Sequence, residues 1–346
     1  MTDEQWSTLI KIIRGDGVEP LPVGFIVDSP WLPQWYGISI LDYFTNDQLW
    51  FDANLRVTQE FKEVMFLPGF WSEYGMCTEP SAFGARCVFF PNAFPHAHKI
   101  IHSVDDIATL PAPDPRTDGL LPFMLNRLKL AKPRMEDAGH SIRFAVARGP
   151  LNIASYLMGS TEFLTAMMMQ PEMIERLIQK VTLFLKEWIA LQMETFPSID
   201  GLLLLDDIIG FLGEEQFVTF ALPYFKELYH IDVTVKFLHN DAPCSISAPH
   251  LPAMGVNLFN MGFEIPLSEL KELTRNQVVL LGNIPPRDVL ANETPENIRR
   301  TTLKLVQELD DKRRIIFSCG GGMPPGVSTE NLYAFIRTVS SEKRTS

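Results

Sequence analysis

The stretch Asp200-Gly-Leu-Leu-Leu-Leu-Asp-Asp207 decides the fold, because it is an uninterrupted aliphatic run closed by two carboxylates. Four leucines in a row leave a strand without a polar face. A strand buried on both faces is typical of a parallel sheet that is covered by helices. The run is also far shorter than the roughly 18 apolar residues that suggest a membrane-spanning helix. The stretch therefore predicts a central strand, residues 201–206, of an α/β protein.

Strands and helices alternate around this stretch from about residue 140 onward, without a linker between them. Short β-branched or aliphatic runs predict strands, and longer amphipathic runs predict helices. The predicted strands are residues 142–148, 201–206, 233–239, 257–261, 278–283 and 314–319. The predicted helices are residues 161–169, 171–193, 214–230, 243–254, 267–274, 295–309 and 329–339.

The first 140 residues are less regular and are rich in tryptophan, phenylalanine and proline. They contain one clear strand, residues 22–27, and a second around residues 66–74. Eight strands with right-handed crossovers fit an α/β fold of the (β/α)8 TIM-barrel type with an N-terminal helical cap. One such domain accounts for residues 1–346. A two-domain, doubly wound protein is the alternative on this pattern alone.

The composition excludes several classes of partner. The chain has 346 residues, of which 46% are hydrophobic and 21% charged, and its net charge is −12. Its basic residues are scattered, so no nucleic acid is expected as a partner. No apolar run spans a bilayer and the N-terminus does not resemble a signal peptide, so we expect no membrane partner and a cytoplasmic location. The four cysteines are too few and too widely spread for a disulfide framework.

Polar residues end nearly every predicted strand, on the side where a barrel of this kind carries its active site. Each of them alone is typical of a helix N-cap or a turn. The whole set is more than solubility requires, and it predicts a site at the carboxyl ends of the strands. The set is Asp28, Arg148, Asp206, Asp207, His239, Asp241, Asn260, Glu264, Asn283 and Cys319.

Three members of this set, His239, Asp241 and Cys319, are candidate metal ligands. Spacing of two residues at a strand end lets His239 and Asp241 point to the same side, and Cys319 ends the last strand. Imidazole, carboxylate and thiolate can bind zinc and leave a fourth position for chemistry. The alternative is that Cys319 is a small buried filler and His239 a core histidine. The glycines after Cys319 lack the spacing of a phosphate loop, so we expect them to let the backbone approach the site.

Several further stretches are each a weak indication of a protein family, but in combination they are specific. They are Gly149-Pro150, Leu157-Met-Gly159, Thr161-Glu-Phe163, Asp200 to Asp207, Leu222-Pro-Tyr224, Gly255-Val-Asn-Leu-Phe-Asn260, Leu280-Leu-Gly-Asn283, and Ser318-Cys-Gly-Gly321 leading to Asn331. Through them the sequence resembles the uroporphyrinogen decarboxylase superfamily from about Pro22 to its end. The resemblance implies a (β/α)8 barrel with its site at the carboxyl ends of the strands.

The decarboxylase branch of this superfamily carries an arginine-rich segment near its N-terminus that holds the carboxylates of the porphyrinogen. Here the corresponding segment is Val27-Asp-Ser-Pro-Trp-Leu-Pro-Gln-Trp-Tyr36, and only Arg14 precedes Arg56. An octa-anionic substrate would leave several carboxylates unpaired in a closed site, at a cost of several kcal/mol each. Porphyrinogen decarboxylation is therefore not expected.

The other branch comprises corrinoid-dependent methyltransferases, which hold zinc with a His-x-Cys pair and a distant cysteine. His239 and Cys319 match this pattern, whereas Asp241 stands in place of the first cysteine. The resemblance implies Zn²⁺ and a corrinoid (cobalamin) carried by a separate partner protein. A hard carboxylate in place of a thiolate raises the Lewis acidity of the metal, which suits an oxygen donor. We therefore expect methyl transfer from a small O-methyl donor, with methoxylated aromatic compounds favoured, to the cobalt of the corrinoid protein.

The remaining site residues are assigned with less support from the pattern. Glu79 and Glu264 are candidates for a fourth metal ligand, and Asp206 and Asn283 for groups that orient ligands and substrate. The opposite direction, in which a thiol accepts a methyl group from methylcobalamin, stays open because zinc ligation ionises a thiol. A metal-independent decarboxylase or lyase, and a non-catalytic barrel that binds a small molecule, also stay open.

Overall fold

A computed structural model describes residues 1–27 and 30–342, so Asp28 lies outside the described residues. The strands are β1 (Val23–Ile26), β2 (Val64–Leu67), β3 (Cys87–Val88), β4 (His96–Ala97), β5 (Phe144–Arg148), β6 (Gly201–Leu205), β7 (Val235–Asn240), β8 (Leu258–Met261), β9 (Val279–Ile284) and β10 (Ile315–Cys319). The α-helices are α1 (Asp3–Arg14), α2 (Trp31–Tyr36), α3 (Ile40–Thr45), α4 (Asp47–Glu60), α5 (Asp106–Thr109), α6 (Leu121–Asp137), α7 (Pro150–Met158), α8 (Ser160–Met169), α9 (Pro171–Thr195), α10 (Glu214–Phe220), α11 (Leu222–Leu228), α12 (Leu251–Met254), α13 (Leu267–Leu273), α14 (Pro295–Gln307) and α15 (Thr329–Ser341).

Eight of these strands form one parallel sheet in the order β2-β1-β10-β9-β8-β7-β6-β5. This is the cyclic strand order of a (β/α)8 barrel, opened between β2 and β5. No hydrogen-bonded ladder joins β2 to β5 within residues 1–27 and 30–342. The predicted α/β fold with eight parallel strands in TIM-barrel order is confirmed, and the order differs from that of a doubly wound sheet.

A glutamine side chain covers the edge of β5 that does not pair with β6. Oε1 of Gln192, on α9, accepts the backbone N–H of Val146 at 3.0 Å, and its Nε2 donates to the carbonyl oxygen of Val146 at 3.0 Å. Gln192 is buried. An unpaired buried peptide group costs about 1–3 kcal/mol, so this amide replaces the backbone partner that a neighbouring strand would provide.

Side chains from all eight strands of the sheet meet in one inner apolar cluster. Its strand members are Ile26, Met65, Leu67, Phe144, Val146, Leu203, Val235, Phe237, Leu258, Val279, Leu281 and Ile316. Helix α1 covers this cluster at the amino ends of the strands, where the ring of Trp6 lies edge-on to that of Phe144 with centroids 5.5 Å apart. A second, outer cluster lies between the sheet and the surrounding helices.

Most predicted elements occur within two residues of their expected ends, and three predictions were wrong in detail. The strand expected at residues 66–74 is β2, which ends before Pro68 because proline has no N–H for the ladder. The helix expected at residues 214–230 is two helices, because Pro223 occupies the first turn of α11. Residues 243–254 contain only a 3₁₀ turn, Ala248–His250, and the short α12. Helix α7 was not predicted.

The helices also bear on the expected absence of a membrane partner. The longest, α9, has 25 residues. In the part of the chain that the structure describes, no helix is both long enough and apolar enough to cross a membrane. The assignment of residues 1–346 to a single domain and the cytoplasmic location remain predictions.

Candidate active site

A cavity of about 140 Å³ lies at the carboxyl ends of the strands. Its walls come from the ends of β1, β5, β6 and β7, from the segment after β2, and from α7. The lining residues are Ile26, Trp71, Glu73, Met76, Phe94, Arg148, Asn152, Tyr156, Leu205, Asp207, His239 and Asp241. Parallel barrels place their active sites at this end of the sheet, so the cavity is the candidate active site.

Asn260, on β8, holds the imidazole of His239, on β7, in one orientation. Nδ1 of His239 lies 2.7 Å from Oδ1 of Asn260, and Nδ2 of Asn260 donates to the carbonyl oxygen of Leu281 at 2.7 Å. Because the second bond fixes which end of the amide is the donor, Oδ1 accepts and Nδ1 of the imidazole carries the proton. Nε2 is then the basic nitrogen and faces the cavity. Metal-binding histidines are commonly oriented in this way.

Asp241 lies directly beside this imidazole. Its Oδ1 is 3.5 Å from Nε2 of His239, and its backbone N–H donates to Oδ1 of Asp207 at 2.7 Å. The separation of 3.5 Å is close to the roughly 3.4 Å that bond lengths near 2.1 Å impose on two ligands of a tetrahedral zinc. Although 51% of the Asp241 side chain is exposed to solvent, desolvation by the surrounding protein raises its pKa, and the nearby His239 opposes this shift.

The glycine run after β10 approaches the carboxylate of Asp241. Gly321 has φ of +73°, and a Cβ placed there would lie 1.9 Å from Oδ1 of Asp241. The Gly322 backbone N–H opposes the rise in the pKa of Asp241. The prediction that these glycines let the backbone approach the site is confirmed.

Cys319 ends β10, but its side chain belongs to the outer face of the sheet. Ile316 is part of the inner cluster, whereas Phe317 and Cys319 are part of the outer cluster. Sγ of Cys319 lies 3.5 Å from the carbonyl oxygen of Gly321. Cys319 therefore lies close to the loop that touches Asp241 without lining the cavity.

Of the five predicted metal ligands, the structure places His239 and Asp241 side by side. Among residues 1–27 and 30–342, no three His, Cys, Asp or Glu side chains have the spacing of a metal site. Glu264 is exposed in the segment after β8 and does not line the cavity. The roles of Cys319, Glu79 and Glu264 as ligands remain predictions.

Arg148 and two glutamates form a buried ion-pair cluster beside the cavity. The guanidinium of Arg148 lies 2.9 Å from Oε2 of Glu73 and 3.5 Å from Oε2 of Glu79. Oε1 of Glu79 also accepts the backbone N–H of Arg148 at 3.1 Å. Two carboxylates share one guanidinium, and burial raises the pKa of Glu79. Glu79 is thus engaged with Arg148 rather than with His239.

Asp206 and Asn283, the predicted orienting residues, both bind backbone groups. Oδ2 of Asp206 accepts the N–H groups of Leu151 and Asn152 at 2.9 and 3.0 Å, so it caps the amino end of α7 from the neighbouring strand. Burial raises the pKa of Asp206 to about 8, although these donors oppose the shift. Nδ2 of Asn283 donates to the carbonyl oxygen of Ile265 at 2.8 Å. Neither side chain lines the cavity.

Sequence reasoning did not single out three polar residues that line the cavity, Glu73, Asn152 and Tyr156. Tyr156 lies on α7, and burial raises its pKa to about 12 while Arg148 opposes the shift. Glu73 follows β2 in a segment that was predicted to be strand. Ending that strand at Pro68 would have placed Glu73 in a loop at the carboxyl end of the sheet.

The model of the family "Uroporphyrinogen decarboxylase (URO-D)" matches residues 5–342. The chain belongs to this family. Uroporphyrinogen decarboxylase of Chloroherpeton thalassium is 25% identical over 277 residues, which cover 76% of each chain. Uroporphyrinogen decarboxylase of Dichelobacter nodosus is 22% identical over 352 residues, which cover 95% of this chain and 96% of that protein. The predicted membership of the superfamily is confirmed.

Two solved structures share the fold of this uroporphyrinogen decarboxylase family member. A methyltransferase from Methanosarcina mazei matches with a TM-score of 0.79 at 16% identity and covers 96% of both chains. A B12-independent methionine synthase from Shewanella sp. W3-18-1 matches with a TM-score of 0.55 at 13% identity, over 92% of this chain and 96% of the other. At these identities the comparison concerns the fold alone, and both matches extend over nearly the whole barrel-like chain.

Proposed function

We propose that this protein is a zinc-dependent methyltransferase that moves a methyl group from a small O-methyl donor, with methoxylated aromatic compounds favoured, to the cobalt of a corrinoid carried by a separate protein. The observation that carries the proposal is the pair formed by Nε2 of His239 and Oδ1 of Asp241, which are 3.5 Å apart at the cavity. The carboxyl end of the sheet, where this pair lies, is the usual place for catalysis in such a fold.

The pair fits a divalent zinc for three reasons. The distance between Nε2 of His239 and Oδ1 of Asp241 matches that between two ligand atoms of a tetrahedral zinc. The imidazole presents its basic nitrogen to the cavity, and the carboxylate supplies a negative charge. Cys319 is kept as the proposed third ligand from the sequence pattern, although its side chain lies on the outer face of β10 and would have to turn inward to reach the zinc. The loop after it lies against Asp241 at Gly321. When bound, zinc would supply Lewis acidity at the leaving oxygen of the donor.

The protein's own residues would bind and orient the donor. Trp71, Phe94 and Tyr156 line the cavity, and aromatic rings offer faces and edges on which an aromatic donor can pack. Asn260 keeps the imidazole of His239 fixed, and Asp207 holds the backbone of Asp241. An orientation fixed before binding lowers the entropy cost of bringing the methyl group and its acceptor into line.

Porphyrinogen decarboxylation is the second candidate, because the curated relatives carry that name. The charges at the cavity weigh against it. Among the residues that the structure describes, Glu73, Asp207 and Asp241 line the cavity together with a single cation, Arg148, which already faces Glu73 and Glu79. A porphyrinogen with eight carboxylates would meet like charges there rather than pairing partners. The methyltransferase from Methanosarcina mazei shows that a closely similar fold supports methyl transfer in another protein.

Zinc content tests the metal site first. The purified protein should bind about one zinc per chain, and His239→Ala and Asp241→Asn should each lose it. His250→Ala is a matched control, because Nε2 of His250 lies 2.8 Å from Oε1 of Glu214 on the surface. Full zinc retention by both site variants would contradict the assignment.

Activity tests the reaction. The enzyme is mixed with cob(I)alamin and methoxylated aromatic donors, and formation of the methyl–cobalt bond is followed by absorbance. The reverse assay supplies methylcobalamin and a thiol, which tests transfer in the opposite direction. Turnover of uroporphyrinogen, with no methyl transfer in either assay, would establish the decarboxylase instead.

A further inference from the structure

Two cysteines lie next to each other beside the cavity. Sγ of Cys87 lies 3.9 Å from the carbonyl oxygen of Cys77. Cys77 lies in a turn, and its backbone N–H donates to the carbonyl oxygen of Tyr74 at 3.1 Å. Cys87 is the first residue of β3. Both cysteines are reduced. The proposed methyl transfer uses neither of them.

The two thiols differ in the properties that control reactivity. Cys77 is fully buried, whereas Cys87 is partly exposed. The interaction with Cys77 lowers the pKa of the Cys87 thiol. An accessible thiol with a lowered pKa attacks first, and a buried neighbour is suited to resolve the product.

We propose that Cys77 and Cys87 form a redox-modification site that a small-molecule disulfide, such as oxidised glutathione, converts into an intramolecular disulfide bond. The proposal stands on the proximity of the two cysteines, with Sγ of Cys87 3.9 Å from the carbonyl oxygen of Cys77, and on their unequal exposure. It is independent of the proposed methyltransferase activity, since it requires neither zinc nor a corrinoid.

The chemistry proceeds by two thiol–disulfide exchanges. The Cys87 thiolate attacks one sulfur of the small disulfide, whose S–S bond breaks and releases one thiolate, leaving a mixed disulfide on Cys87. Cys77 then loses its proton to solvent and attacks Sγ of Cys87, which releases the second small thiolate. Overall the two protein thiols lose two electrons and two protons, and the small disulfide is reduced to two thiols.

The position of the pair connects this modification to the active-site cavity. Met76, next to Cys77 in the chain, lines the cavity, and Glu73 and Glu79 on either side of it hold Arg148. A disulfide shortens the sulfur–sulfur separation to about 2.05 Å. Its formation would therefore draw β3 towards the turn that supplies this part of the cavity wall.

The first experiment uses phenylarsine oxide, a trivalent arsenical that binds tightly only where two thiols are adjacent. The whole chain should bind one equivalent, and Cys87→Ser and Cys77→Ser should each abolish tight binding. Cys244→Ser is the matched control, because Cys244 is buried in another part of the fold, and it should bind as the wild type does. Since Cys77→Ser replaces a buried residue, Cys77→Ala and a circular dichroism spectrum accompany it.

The second experiment exposes the protein to oxidised glutathione and counts thiols by alkylation and peptide mass spectrometry. Of the four thiols, two should disappear in a Cys77–Cys87 cross-linked peptide. Cys77→Ser and Cys77→Ala should stop at the glutathione adduct on Cys87. A wild-type protein that keeps all four thiols, or that ends as a stable adduct on Cys87, would overturn the proposal.

Discussion

Nδ1 of His239 lies 2.7 Å from Oδ1 of Asn260, and the same asparagine donates through Nδ2 to the carbonyl oxygen of Leu281 at 2.7 Å. Three adjacent strands, β7, β8 and β9, are thereby linked through one side chain. Asn260 and His239 are both buried, so water is a poor substitute for this contact. The tautomer of the imidazole is set by the sheet itself, before any ligand binds.

Asn260→Ala should lower the affinity for zinc about 10- to 100-fold, because the imidazole loses the partner that fixes its ring and its tautomer. The dissociation constant is measured by competition with a chromogenic chelator. Asn331→Ala is the control, since Asn331 is also buried and donates to the carbonyl oxygen of Leu290 at 2.9 Å, outside the cavity. Equal zinc affinity in the wild type and Asn260→Ala would show that the orientation of His239 does not depend on this bond.

Gln192→Leu should lower the free energy of unfolding by roughly 2 kcal/mol, because the N–H and carbonyl groups of Val146 lose their partners in a buried place. Urea titration measures the change as a shift of the midpoint at constant slope. Gln179→Leu, on the exposed face of the same helix, should change the midpoint little. A Gln192→Leu protein as stable as the wild type would indicate that β5 finds another partner.

Donor charge should affect turnover, because three carboxylates and one paired guanidinium line the cavity. We expect 4-methoxybenzyl alcohol to have a kcat/KM at least about tenfold above that of 4-methoxybenzoate, since like charges in a partly desolvated site repel by more than 1 kcal/mol. Glu73→Gln should narrow this ratio. Faster turnover of the anionic donor would contradict the proposed role of the cavity charges.

His140 should make the protein sensitive to mild acid. Burial lowers the pKa of His140 from the ordinary 6.5 to about 4, so the unfolded chain binds a proton at this histidine more readily than the folded one. The contribution of His140 to the free energy of unfolding is therefore fully present above pH 6.5 and is lost as the pH decreases towards 4. Between pH 7 and pH 4.5 the free energy of unfolding should decrease by about 2 kcal/mol less in His140→Leu than in the wild type. Urea titrations at both pH values measure it, and identical decreases in the two proteins would show that other groups dominate.

The sequence predicted the sheet well because its strands are defined locally. Runs such as the four leucines of β6 have no polar face, and the segments between them have helical periodicity. Two of the errors arose at prolines, where Pro68 and Pro223 ended elements that hydrophobicity alone would have continued. Proline acts through a missing backbone donor, which a hydrophobic pattern does not show.

The site was predicted in part. His239 and Asp241 could be predicted to lie together because a spacing of two residues at one strand end is local information, and the structure places them side by side. The direction of the Cys319 side chain cannot be predicted locally, because β10 is buried on both faces and its sequence does not tell which face turns inward. Glu73 and Tyr156 reach the cavity through an irregular segment and through α7, and their positions depend on long-range packing.

Where β2 and β5 face each other, the barrel-like sheet is held by side chains. The amide of Gln192 covers Val146, and nearer the cavity the ion pair of Glu73, after β2, with Arg148, at the end of β5, spans the same seam. Separating two paired strands requires a row of peptide hydrogen bonds to break together, whereas opening this seam requires only these side-chain contacts to break. Among the described strands this seam lacks a peptide ladder, and it borders the cavity in which the donor would bind.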